Sequence, residues 1–134
     1  MFKILIALVL LAHGIGHSMG LLQVFKVAPV NPNWHGDSWI LSGLVGTTAA
    51  QAAGVALWTV AIVGFAGAAG AVIGWVPVSW WQPLAVVSAV ASTAGLVFFP
   101  VAFPAFSTVG AFVVDAAVLV AVLWNHWAPA DLAA

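Results

Sequence analysis

The sequence predicts an all-α protein, an integral membrane four-helix bundle with an extra interfacial helical segment after the first connection. Three observations carry that prediction. Hydrophobic residues fill 65% of the 134 positions and charged residues only 4%, with a mean hydropathy of +1.21. A water-soluble domain carries about 25% charged residues, so this chain cannot solvate its own surface in water, and a lipid bilayer is the solvent it fits. Four apolar runs each come close to the ~20 residues that cross a hydrocarbon core, and Pro- and Gly-rich stretches separate them. No segment is polar and long enough to stand outside, so residues 1–134 read as a single transmembrane domain.

The first span is read over residues 3–25. Its opening, MFKILIALVLLA, has the lysine and short apolar core of a secretory signal. Apolar character resumes as far as Phe25, so the segment is read as a retained helix. The connection KVAPVNPNWHGD cannot continue it, because Pro29, Pro32 and Gly36 break the pattern. Asp37 or Ser38 can then N-cap a new helix. The run 38–75 has neither proline nor charge and is too long for one span. Its start, SWILSGLVGTTA, mixes Ser, Gly and Thr with apolar residues. It is read as an interfacial segment over 38–50, followed by a second span over 51–74. A fifth span beginning at Ser38 is the competing reading. WVPVSWWQP is a turn region, the third span covers 84–99, PVAFP breaks the chain, and the fourth span covers 105–124.

Tryptophan prefers the membrane–water interface, which tests the count. Four spans put Trp75, Trp80, Trp81, Trp124 and Trp127 on the N-terminal side and Trp34 and Trp39 on the other, leaving only Trp58 inside a span, where packing explains it. Lys3 and Lys26 lie at opposite ends of the first span, so the positive-inside rule leaves orientation open. With no cysteine, disulfides and thiolate chemistry are excluded. Two lysines and three aspartates form no patch, which excludes a nucleic-acid partner.

The chemistry concentrates in LAHGIGHSMG. His13 and His17 stand four residues apart in an apolar helix, hence on one face, about 40° apart. Gly16 and Gly20 lie on or near that face, in the small-xxx-small pattern that lets helices approach. The fourth span holds the one carboxylate well inside an apolar run, Asp115, with Thr108 and Ala111 on its face. An unpaired charge at that depth costs ~2.5–3.5 kcal/mol, so Asp115 must be protonated, paired or turned into a cavity. In antiparallel spans His13, His17 and Asp115 share mid-depth. Ser88 and Ser92 in the third span and Thr59 in the second lie near the same level. The expected binding site is therefore His13, His17, Asp115, Ser92 and Thr59, with Gln23 and Gln51 as a second polar layer.

Three roles fit such a cluster. Imidazole and carboxylate can simply hold helices together. They can ligate a divalent metal through His13, His17 and Asp115, two histidines and a carboxylate being the minimal set with open positions. No Glu follows His13, so the zinc-protease helix motif is absent. A haem within one subunit fits poorly, since His35 and His126 are read as a loop residue and a helix-end cap. The third role is handling of protons or substrate, for which a four-span subunit would have to dimerise to enclose a path.

LLAHGIGHSMGLLQVF in the first span, with FSTVGAFVVDAAVLVAVLW in the last, resembles small uncharacterised four-helix bacterial membrane proteins, and the His13-Gly14 pair is similar to the DoxX-like group. Where that group typically carries a lysine a few residues on, this chain has His17. The resemblance covers the first and last spans. It implies a four-helix bundle in a bacterial inner membrane and a quinone-linked redox partner complex. Together these readings describe a small membrane protein binding an ion or small molecule, as a homo-oligomer or an accessory subunit of a membrane complex. A proton-coupled transporter, a metal-dependent or quinone-linked redox enzyme and a purely structural cluster are the alternatives, so the sequence does not decide whether the protein is an enzyme.

Overall fold

A computed structural model describes residues 1–132, and these are all-helical, with no strand among them. Four helical stretches are long and apolar enough to cross a membrane: Phe2–Val24, Thr47–Ile73, Val78–Phe98 and Ala105–Trp124. The first is two helices, α1 (Phe2–Gly16) and α2 (Ser18–Val24), joined at His17. Around that joint the hydrogen bonds tighten: His17 N–H donates to Gly14 O at 3.1 Å and Gly20 N–H to His17 O at 3.1 Å. His17 keeps a right-handed helical backbone at φ −68° and ψ −16°, so the interruption is a single tightened turn. The stretch ends in a Schellman turn, in which Val27 N–H reaches Leu22 O (2.8 Å) and Lys26 N–H reaches Gln23 O (3.1 Å). That turn holds Lys26 at a φ of 56°.

The following loop caps another helix. Ser38 Oγ–H donates to Phe98 O (2.7 Å) and Trp39 Nε1–H to Val97 O (2.6 Å), satisfying carbonyls at the end of α5 (Trp81–Phe98) that have no partner within their own helix. Of the expected interfacial segment, only α3 (Leu41–Val45) is a separate helix. Gly46, at φ 84° and ψ 157°, ends it, and α4 (Thr47–Ile73) begins one turn before residue 51 because nothing in TTAA opposes a helix. Gly74 closes α4 in the left-handed conformation. α5 begins at Trp81, ahead of the expected 84, because Pro83 sits in the first turn, where its missing N–H deprives no carbonyl. α6 (Ala105–Leu119) follows Pro104 and widens into a π turn over Val120–Trp124.

Small residues set the packing. A Cβ built on Gly14 would stand 3.0 Å from Phe65 Cβ, and one on Gly20 would meet the Trp58 ring at 2.6 Å, so α1 and α2 run antiparallel against α4 at close range. Gly64 and Gly67 receive Ser88 and Leu84 of α5 in the same way. α4 thus packs against both α1 and α5, and α6 packs along α5. The apolar window of α4 is 50% buried and that of α6 only 11%, so α6 is a peripheral helix. Trp75, Trp80 and Trp124 are exposed near one end of the bundle and Trp39 near the other, while Trp81 packs edge-on against Trp127 at 5.1 Å.

Candidate functional site

Three of the four long helical stretches contribute to one hydrogen-bonded network. Asp115, 1% exposed on α6, is its hub. Its Oδ1 lies 2.8 Å from His13 Nε2, and its Oδ2 accepts from Ser92 Oγ–H at 2.6 Å and from Thr93 Oγ1–H at 3.3 Å. Ser92 Oγ also lies 2.8 Å from His17 Nε2 and 3.4 Å from His13 Nε2. The i, i+4 spacing puts both rings on one face of the first stretch, edge to face at 5.2 Å, and both Nε2 atoms converge on Ser92. Phe65 closes over His13 at 4.6 Å and Phe103 over His17 at 5.9 Å.

Hydrogen accounting orients this chain. Ser92 has one hydrogen and gives it to Asp115, so His17 Nε2 must be the donor to Ser92 Oγ. A neutral His17 then has a bare Nδ1, and that atom is buried without a partner. In a native interior such an orphan is uncommon and calls for an explanation.

α1 and α6 scarcely touch. Between them runs a cleft of about 400 Å³ that opens on the flank of the bundle and is lined by His13 and His17 along with Ala12, Gly16, Gly110 and Ala111. Glycines keep it open, since a Cβ on Gly16 or on Gly110 would meet nothing within 4 Å. A second, almost wholly apolar cavity of about 620 Å³ continues it toward the N-terminal end of the bundle, sharing Val9 and Val114 with the first. The His13–Asp115 bond crosses between the two helices that flank the gap.

Four expected site residues, His13, His17, Asp115 and Ser92, therefore meet. Thr59 does not. It is exposed, because Trp58 beside it fills the interior and the next residue is turned about 100° away. Thr93, which the sequence reading missed, makes the threonine contact instead; its only signal was its place next to Ser92. The expected three-ligand metal set is not formed either: among the described residues no three His, Cys, Asp or Glu side chains are grouped to hold an ion. The reason is geometric, in that His13 and Asp115 are turned onto each other and His17 onto Ser92. Gln23 and Gln51 do not form one layer: Gln23 Oε1 accepts from the backbone of Val30 (2.8 Å) and Asn31, whereas Gln51 is pressed against Gly36. Ser88 donates to Leu84 O in its own helix (2.5 Å). Gly16, expected to seat a helix, faces the cleft, and only Gly20 of that pair packs. His35 is an exposed loop residue, and His126 ends the last helix through its backbone, at a φ of 50°. Comparison with known proteins finds no matching family model, no matching curated protein and no matching solved structure.

Proposed function

We propose that the four apolar helices cross a bilayer, a bacterial cytoplasmic membrane in the reading that the DoxX-like resemblance suggests, and that the protein binds a small amphipathic molecule in the cleft between α1 and α6. On this reading the molecule enters sideways from the lipid and sets its polar end against the His13/His17/Ser92/Asp115 network. One observation carries the proposal: a glycine-lined cleft of about 400 Å³ leads from the bundle's flank to two imidazoles, one of which has a buried nitrogen without a partner. Ligand sites share this character, being concave and mainly apolar with a few convergent polar groups. An isolated charge at mid-depth costs ~2.5–3.5 kcal/mol, which favours a network of zero net charge and an uncharged guest.

Cohesion alone is a second reading, favoured by the way the Nε2, Oγ and carboxylate atoms partner one another across three helices. Gly110→Leu separates the two. It fills open space, so cohesion predicts unchanged stability and unchanged lipid content. Binding predicts that an amphiphile co-purifies near one per chain with the wild type in mild detergent and is lost from Gly110→Leu. Thr59→Leu, on an exposed face, serves as the control and keeps it. Equal amphiphile content in all three proteins, read by solvent extraction and mass spectrometry, overturns the proposal.

A further inference from the structure

We infer that the apolar cavity between the N-terminal half of α1 and the C-terminal half of α6 seats one acyl chain of a membrane phospholipid, with the head group at the mouth beside Asn125 and Asp131. This rests on the membrane reading above but not on the guest of the cleft, which is a separate molecule. The first argument is level. The cavity begins at Val9 and Val114 and reaches Leu5 on α1 and Asn125 beyond α6. Val114 sits at the middle of the apolar stretch Ala105–Trp124, and Asn125 lies just past its end. From Val114 to Asn125 the helix rises ~16 Å at 1.5 Å per residue. That is half of a ~30 Å hydrocarbon core, the depth that one leaflet's chains fill.

The second argument is calibre. About 620 Å³ spread over that length makes a channel ~7 Å across, narrower than the 10–12 Å of a helix with its side chains. A second helix does not fit inside it, and an extended hydrocarbon chain does. The third is the order of the lining. Leu5, Val9, Val113 and Ala117 are exposed along the flank, so the channel lies open to the bilayer on its side. Asn125 and Asp131 both belong to the segment after the last span, and both are exposed. The turn Pro129–Leu132 packs back against α1 and brings Asp131 to the mouth. Trp81 and Trp127, edge-on at 5.1 Å, stand at the same end, and tryptophan favours the membrane–water boundary. A chain in this channel meets hydrocarbon along its length and water at its ester end. Its methyl end stops at Val9 and Val114, which also line the cleft, and so forms that end of the cleft's wall.

The test uses the whole protein reconstituted in palmitoyl-oleoyl phosphatidylcholine vesicles, extracted in dodecyl maltoside and freed of loose lipid by gel filtration. Lipid phosphorus is then counted per chain, which leaves out the uncharged guest favoured for the cleft. The wild type is expected to keep about one phospholipid per chain. Ala117→Phe fills the channel from an exposed position and is expected to keep about fivefold less, and Ala121→Leu, one turn further on, serves as a second variant. Ala116→Phe, exposed but outside the lining, keeps the phospholipid, and so does Gly110→Leu. Equal phosphorus in the wild type, Ala117→Phe and Ala121→Leu overturns the inference, as does a wild type that keeps none. Loss from Gly110→Leu as well places the phospholipid in the cleft and overturns it too. A phosphorus-free dimer, seen by light scattering and split by Ala117→Phe, means that a second copy covers the channel, and the inference fails. A chain that stays monodisperse with all detergent withdrawn overturns the membrane reading itself, whereas every other outcome leaves that reading standing.

Discussion

Replacing Ser92 with alanine removes the link between His17 and Asp115, and the structure supplies its own control for the effect. Ser92 Oγ donates to Asp115 at 2.6 Å and accepts from His17 at 2.8 Å, both across helix boundaries. Interhelical hydrogen bonds in membrane bundles average about 0.6 kcal/mol and reach about 1.7, so losing two costs ~1–3 kcal/mol. The loss falls toward the upper end because His17 is left with neither ring nitrogen partnered. Ser88, one turn earlier on α5, is equally buried, yet its hydroxyl only returns to Leu84 O in its own helix. Such a back-bond contributes little, so Ser88→Ala should change stability by less than ~0.5 kcal/mol. Equilibrium unfolding by dodecyl sulfate in mixed micelles, followed by tryptophan fluorescence, measures both variants. Equal losses for the two serines would refute the claim that the network, rather than serine burial, ties the helices.

Further outcomes follow from the same contacts. Gly20→Ala should lose ~1–3 kcal/mol in the same assay, since its Cβ would meet the Trp58 ring at 2.6 Å, while Gly16→Ala, facing open space, should lose nothing. Thr93→Val should lose ~0.5–1 kcal/mol through its 3.3 Å bond to Asp115, whereas Thr59→Val on the exposed face should be neutral. Lys26→Gly should raise stability by about 0.5–1 kcal/mol, because glycine takes the φ of 56° without a Cβ clash.

Depth along a helix is legible in a sequence, because every residue advances it by the same 1.5 Å. That regularity is why His13, His17, Ser92 and Asp115 could be matched as one level before any packing was known. Rotation about the helix axis is less legible. Thr59 has the right depth, but Trp58 claims the interior, and in α4 the buried face includes Ala61, Gly64, Phe65 and Ala68. With apolar residues all round the helix, no periodicity marks which side is inward. The glycines show the same limit: Gly16 and Gly20 are identical as a motif, yet one faces a gap and the other an indole ring. The cleft itself lies where α1 and α6 stand apart beside the His13–Asp115 bond, and no residue pattern encodes a gap. Two helices begin about a turn ahead of the expected positions: α4 at Thr47, inside the stretch read as interfacial, and α5 at Trp81, inside the stretch read as a turn.

Cohesion and binding are not independent roles in this architecture. α6 packs along α5 and fully buries only Asp115 and Val118, and the bond of that carboxylate to His13 ties it to the first helical stretch. Any guest that reaches His13 and His17 touches the two rings through which that carboxylate is tied to the first helical stretch. A guest bound only by the assembled bundle adds RT ln(1 + [L]/Kd) to its stability, about 2.7 kcal/mol at a hundredfold excess over Kd, comparable to the whole network's worth. A structural cluster with no guest has no need of open space on the flank it crosses, and side chains larger than glycine at 16 and 110 would close that space without a clash. The pairing of a network able to hold the helices with a gap it leaves unfilled is what favours the proposed binding role over interhelical cohesion alone.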